Sequence, residues 1–176
     1  MEENLLRRYQ KVFSRNEGGL RNEGALRQLY VLETDEQDWP PFLRFLHASP
    51  YSIEFLVDGE QSPLPEQVED LFALAEDDQG QVIRGLALCI DREHLEVWCN
   101  CFREGIEFFF PASAFAVEAT VGEQVVRLLN FIRTIGQVLH KVIILTPESA
   151  ADFPLFRYDP SSKEEHWFPE HIEAME

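Results

Sequence analysis

The sequence predicts an α+β fold: one domain over residues 1–176, with an antiparallel sheet that includes a three-stranded meander at about 82–110, packed against a long helix at about 121–140 and further helices. Three observations lead there. Short runs of alternating apolar and polar residues recur between turn residues, as half-buried strands require. After residue 120 the spacing changes to i, i+3, i+4, i+7, the period of an amphipathic helix. A composition of 45% apolar and 12% aromatic residues, with 14 Phe in 176 residues, supplies a sizeable core.

Taken in order, residues 1–17 place Leu5, Leu6, Tyr9, Val12 and Phe13 on one helical stripe and Arg8, Lys11 and Arg15 on another, an amphipathic helix ending near Gly18-Gly19. Residues 25–33 fit helix or strand. Asp38-Trp39-Pro40-Pro41 reads as an Asp-capped helix start with proline in its first turn, and Pro50 closes the helix. Ile53, Phe55 and Val57 alternate with polar neighbours as a strand that Asp58-Gly59 ends. Ser62-Pro63-Leu64-Pro65 reads as the start of a helix with Val68, Leu71, Phe72 and Leu74-Ala75 as its stripe. Glu76-Asp77-Asp78 follow at its C-terminus, against the helix dipole.

The meander is expected as VIRGLALCI, a turn at Asp91-Arg92-Glu93, HLEVWCNCF, a turn at Arg103-Glu104-Gly105, and IEFFF. In its middle strand Leu95, Val97, Cys99 and Cys101 share one face and Trp98 lies on the other. Thr120 and Glu123 have capping-box spacing before the long helix, which His140 closes as a cation at the C-terminal dipole. Lys141–Thr146 is a buried strand stopped by Pro147, and a short strand follows at 155–158. Arg157 is expected to pair with Glu148 or Asp159. Residues 160–176 form an acidic, loosely packed tail carrying Trp167 and Phe168.

Charge narrows the function. Thirty-two Asp and Glu against 15 Lys and Arg give a net charge of −17, which excludes unaided nucleic-acid binding and disfavours anionic membranes. The first 30 residues are net +2, so the remainder, at −19, favours encounter with cationic partners. Only three of the basic residues are Lys; the Arg excess suits internal bidentate pairing. Three cysteines in a chain this long point to a reducing compartment, and the lack of any long apolar run or secretory leader points to a cytoplasmic protein.

Motifs with a specific chemistry do not emerge. Cys99-x-Cys101 lacks the Cys-x₂₋₄-Cys reach of a zinc site and is better read as core, so no metal is expected. The nine glycines form no phosphate-binding loop, and no histidine stands in a nucleophile motif, so neither a cofactor nor a catalytic residue is expected. Two acidic segments remain. Asp35, Glu36 and Asp38 surround Trp39, an arrangement that either recognises a cationic partner or anchors a helix start. Glu76, Asp77 and Asp78 form the second.

These features fit a non-catalytic acidic module that binds a basic protein, of the same class as small secretion chaperones and toxin-neutralising immunity proteins. A small-molecule binder or enzyme with a pocket lined by Trp98, Phe102 and Phe109 is the alternative, and nucleic-acid mimicry a third. If the aromatic face of the meander is left uncovered, a homodimer is implied.

Overall fold

A computed structural model describes residues 26–77, 80–82, 84–111, 121–147 and 150–174. The N-terminal helix expected over 1–17, Asp78, Thr120 and Glu148 lie outside them. Among the described residues nine strands form one fully antiparallel sheet: β1 (Leu26–Val31), β2 (Ile53–Val57), β3 (Glu60–Ser62), β4 (Leu86–Ile90), β5 (Val97–Phe102), β6 (Gly105–Pro111), β7 (Ile143–Pro147), β8 (Phe156–Asp159) and β9 (Glu164–Trp167). Their spatial order is β3-β2-β4-β5-β6-β1-β7-β8-β9. The α+β class therefore holds. The helices are α1 (Trp39–Ala48), preceded by a 3₁₀ turn at Glu36–Asp38, then α2 (Val68–Ala73), α3 (Val121–Leu139) and α4 (Pro169–Ala174).

One cross-strand row shows how the sequence sets the layers. Ser62, Phe55, Leu88, Cys99, Phe108, Leu29, Leu145, Phe156 and Trp167 are consecutive register partners across all nine strands. Side chains alternate with period two, so this row fixes the inner face. At its centre Phe108 meets Phe42 of α1 edge-on at 5.6 Å and Phe131 of α3 edge-on at 5.3 Å. Both helices thus cover the same face. Gly136 is what lets α3 approach β8: a Cβ there would lie 2.8 Å from Cδ1 of Tyr158.

The outer face carries the rows Glu54-Cys89-Trp98-Phe109-Gln28-Thr146 and Leu56-Ala87-Asn100-Glu107-Tyr30-Ile144-Arg157-His166. It mixes aromatic and charged residues.

Several elements differ from the sequence-based expectation. The ambiguous stretch at 25–33 is β1, held between β6 and β7. Asp58 and Gly59 both take positive φ (51° and 83°), so the strand turns instead of ending: a two-residue hairpin sends Glu60–Ser62 back as β3. Ser62 is therefore a strand residue, and the prolines at 63 and 65 delay α2 until Val68. α2 stops at Ala73, and Glu76 follows directly on its C-terminus as expected: its amide donates to the Phe72 carbonyl at 3.1 Å, and it also forms a bridge with Val82. Between β4 and β5 the connection is a wider turn in which the amides of His94, Leu95 and Glu96 all donate to the Asp91 carbonyl, turning Leu95 into the core. His140 ends α3 in the left-handed region (φ 55°), with the Lys141 amide donating to the Gly136 carbonyl. Arg157 pairs with Asp159 at 3.3 Å. In the tail, residues 164–167 form the edge strand β9, and Trp167 lies 4.5 Å from Phe156.

Among the described residues no helix is long and apolar enough to cross a membrane.

Candidate functional site

The two acidic segments, 42 positions apart from Thr34 to Glu76 in sequence, meet at the β5–β6 turn. Thr34 makes the first attachment: its hydroxyl accepts from the Ile106 amide at 3.1 Å and donates to the Val31 carbonyl at 3.2 Å. The chain then enters a capping box. Asp35 Oδ1 accepts from the Gln37 amide at 2.8 Å, and the Asp35 amide donates to Asp38 Oδ2 at 3.0 Å.

Trp39, next in sequence, is fully buried, with its indole N–H donating to the Phe102 carbonyl at 2.8 Å. Phe42 and Phe72 meet its ring edge-on at 5.6 and 5.4 Å. Trp39 is therefore the anchor of the helix start, and it offers no surface to a partner.

Arg103 ties the two segments together. Its Nε and Nη2 donate to Glu76 at 2.6 and 3.0 Å, its Nη1 donates to Glu36 at 2.5 Å, and its guanidinium lies 4.6 Å from the centre of the Phe72 ring. The hydrogen bond from Arg103 holds the Glu76 carboxyl below the usual value, against a smaller opposing effect of burial. Lys141 fastens the other flank, with Nζ 3.5 Å from Asp38 Oδ2 and donating to the Glu33 carbonyl at 2.7 Å. Asp77 Oδ1 accepts from the Gln81 amide at 2.9 Å.

Among the described residues two cations, Arg103 and Lys141, are seen to pair within a group of six acids, Glu33, Asp35, Glu36, Asp38, Glu76 and Asp77. Exposed apolar side chains stand beside them. Leu32 precedes Glu33, Val82 is bridged to Glu76, and Phe102 precedes Arg103; their exposures are 37, 68 and 50%. Sequence reasoning named these acids except Glu33, and named neither Arg103 nor Lys141 as their partners. The one available signal was the Arg excess, which pointed to internal pairing without saying which acids were partners.

Of the aromatic residues proposed to line a pocket, Trp98 and Phe109 lie on the outer face away from the acids, and Phe102 stands at the edge of that face next to Arg103. Trp98 and Phe109 are register partners, and Phe102 shares their side of β5. Arg92 lies 5.1 Å from the Trp98 ring centre and grips Glu54 through Nε at 2.8 and 2.9 Å. Cys89, their neighbour in the same row, is fully buried, and burial pushes its thiol up to about 11. Cys99 and Cys101 are buried on the inner face instead. Among the described residues no three His, Cys, Asp or Glu side chains converge as metal ligands would.

No protein-family model, no curated protein and no solved structure matches this chain.

Proposed function

We propose that the protein is a non-catalytic interaction module that binds a basic protein through the surface around the Arg103 crosslink. The observation that supports this reading is that Arg103 draws Glu36 and Glu76 together at one turn, with Glu33, Asp35, Asp38 and Asp77 as their near neighbours in sequence and Leu32, Val82 and Phe102 exposed next to these segments. Carboxylates steer a cationic partner and set its register, while apolar neighbours supply the area that excludes water. Arg103 and Lys141 have a structural task here. Arg103 bridges the carboxylates of Glu36 and Glu76, which would otherwise repel one another, and Lys141 ties the Asp38 carboxylate to the Glu33 backbone carbonyl, so the cluster keeps a fixed shape before a partner arrives and the ordering cost of binding falls. The partner class is accordingly a protein segment with Lys or Arg interleaved with apolar residues, such as the exposed surface of a basic toxin or a secreted client.

The test is capture from lysate of the source organism at low and high salt, with the wild type and a Glu33→Lys/Glu36→Lys variant compared side by side. A stoichiometric basic protein held by the wild type, released by salt and bound at least about tenfold more slowly by the variant is the expected result. Equal association rates for the two proteins would remove this surface from the interaction.

A further inference from the structure

One end of the outer face has a gap in it. Phe102, the last residue of β5, pairs with Gly105 of β6. Tyr30 of β1 pairs with Glu107, so two residues on Leu32 comes opposite Gly105 from the other side. Leu32 is still on the ladder, its amide donating to the Val142 carbonyl at 2.9 Å. Two large apolar side chains, 50 and 37% exposed, thus flank a residue that has no side chain, about 10 Å apart across two strand spacings. The row holds a slot one side chain wide. Its floor is Gly105, itself only partly covered, together with the Thr34 hydroxyl, which would lie 3.2 Å from a Cβ at Gly105. Tyr30 leans away from the slot, donating to Gln28 Oε1 at 2.9 Å. The next residue of β6 on this face is Glu107, about 7 Å from Gly105. Glu107 is exposed, as are Glu33 and Glu104 in the adjoining turns, and among the described residues no cation is paired with these three carboxylates. The nearby cations are already matched: Arg103 holds Glu36 and Glu76, Lys141 lies by Asp38, and Arg157, in the row of Glu107, pairs with Asp159. Arg92 stands over Trp98 at the other end of β5, gripped by Glu54.

We propose that this slot anchors the partner: it seats one apolar side chain of an extended segment between Phe102 and Leu32, and a Lys or Arg two positions along that segment falls on Glu107. The proposal rests on the basic-partner reading above and narrows it to a recognition element. Charge selects the occupant, because three carboxylates without a paired cation stand at the end of the sheet that holds the slot. Spacing selects the pattern. In an extended chain residues i and i+2 project to one side about 7 Å apart, the separation of Gly105 from Glu107, so an apolar residue, any residue and a cation in succession satisfy both positions at once. Each half of the contact supports the other. The seated side chain shields the ion pair from water, and the ion pair fixes which apolar residue enters the slot.

The experiment titrates the ¹⁵N-labelled full chain with the end-capped peptide GSFSRSG and, separately, with its isomer GSFRSSG, in which the ring and the cation are adjacent. The first peptide is expected to shift the amides of Leu32, Phe102, Gly105 and Glu107 and to bind at least about threefold more tightly than the isomer. Phe102→Ser and Glu107→Gln, both exposed positions whose loss leaves the core intact, are each expected to weaken it by at least about threefold. Equal binding of the two peptides, shifts centred elsewhere, or no binding would overturn the proposal. Shifts at these amides that grow with protein concentration and no peptide would assign the slot to a second copy and overturn it as well. Lysate capture with Phe102→Ser/Glu107→Gln separates this proposal from the reading beneath it. A basic protein that this variant retains as the wild type does, but Glu33→Lys/Glu36→Lys releases, would remove the slot and leave the interaction reading standing.

Discussion

Arg103 grips Glu76 through both carboxylate oxygens, at 2.6 and 3.0 Å, while its remaining amino group holds Glu36 at 2.5 Å. A turn residue thereby joins two segments that are far apart in sequence, and it does so while resting on a buried ring, Phe72. Arg103→Met keeps much of the packing on Phe72 and deletes the ion pairs. It is expected to lower Tm by about 2–4 °C at pH 7 in thermal unfolding followed by circular dichroism. The pH dependence follows from the depressed Glu76 carboxyl, held down chiefly by the hydrogen bond from Arg103. Its contribution is complete above the ordinary carboxylate value of 4.5 and is lost as pH falls through the lower folded value. The gap between wild type and variant should close below about pH 4.5. A gap undiminished at pH 3 would assign the effect to packing instead.

Trp39 carries two separable contributions. Trp39→Phe retains a ring against Phe42 and Phe72 but leaves the Phe102 carbonyl without its indole donor, a loss of about 1–2 kcal/mol. Trp39→Ala also empties the site, for a loss of about 3–5 kcal/mol. Urea titrations of the two variants would separate the hydrogen bond from the packing; equal losses would mean that the bond contributes nothing.

Gly136 tests the approach of α3 to the sheet. On helix propensity alone Gly136→Ala should stabilise α3 by about 1 kcal/mol. The added methyl, however, would sit 2.8 and 2.9 Å from the Tyr158 ring and 3.3 Å from the Lys141 carbonyl. Overpacking of this kind costs about 1–3 kcal/mol, so net destabilisation is expected in a denaturant titration. Tyr158→Leu should relieve it, and an unconditional rise in stability for Gly136→Ala would contradict the tight contact.

The thiols offer a chemical test of burial. Cys89, Cys99 and Cys101 are all buried, and burial raises Cys89 to about 11 and Cys99 in the same direction. Ellman's reagent at pH 8 should therefore find none in the native protein and three after denaturation. Prompt reaction of one thiol in the native state would show that a sheet face is open.

Much of this architecture was written locally, and the departures have identifiable causes. Period-two alternation marked Ile53, Phe55 and Val57, and helical spacing marked α3, because each pattern reflects a face turned to one core. The strand β1 was ambiguous because LRQLYV lies between two other strands, where flanking contacts, not its own period, decide the state. The strand β3 was missed although Asp58-Gly59 after a strand is a strong hairpin signal, since Glu60-Gln61-Ser62 shows no apolar alternation of its own. The acids of the candidate site were legible as acids. Their arrangement was not, because the crosslink between them depends on Arg103 and on a register no local pattern encodes.

Both rims of the sheet are short and acidic: three residues, Glu60–Ser62, at one side and Glu164–Trp167 at the other. A backbone with unpaired amides and carbonyls is a template for any extended chain that drifts past. Here a neighbouring molecule offering its own rim would bring carboxylates against carboxylates, so lateral growth from sheet to sheet is opposed by repulsion at neutral pH. Shortness adds a second obstacle: a rim of three or four residues offers an incoming strand few backbone groups to pair with, so the sheet stops at nine strands and does not propagate from molecule to molecule.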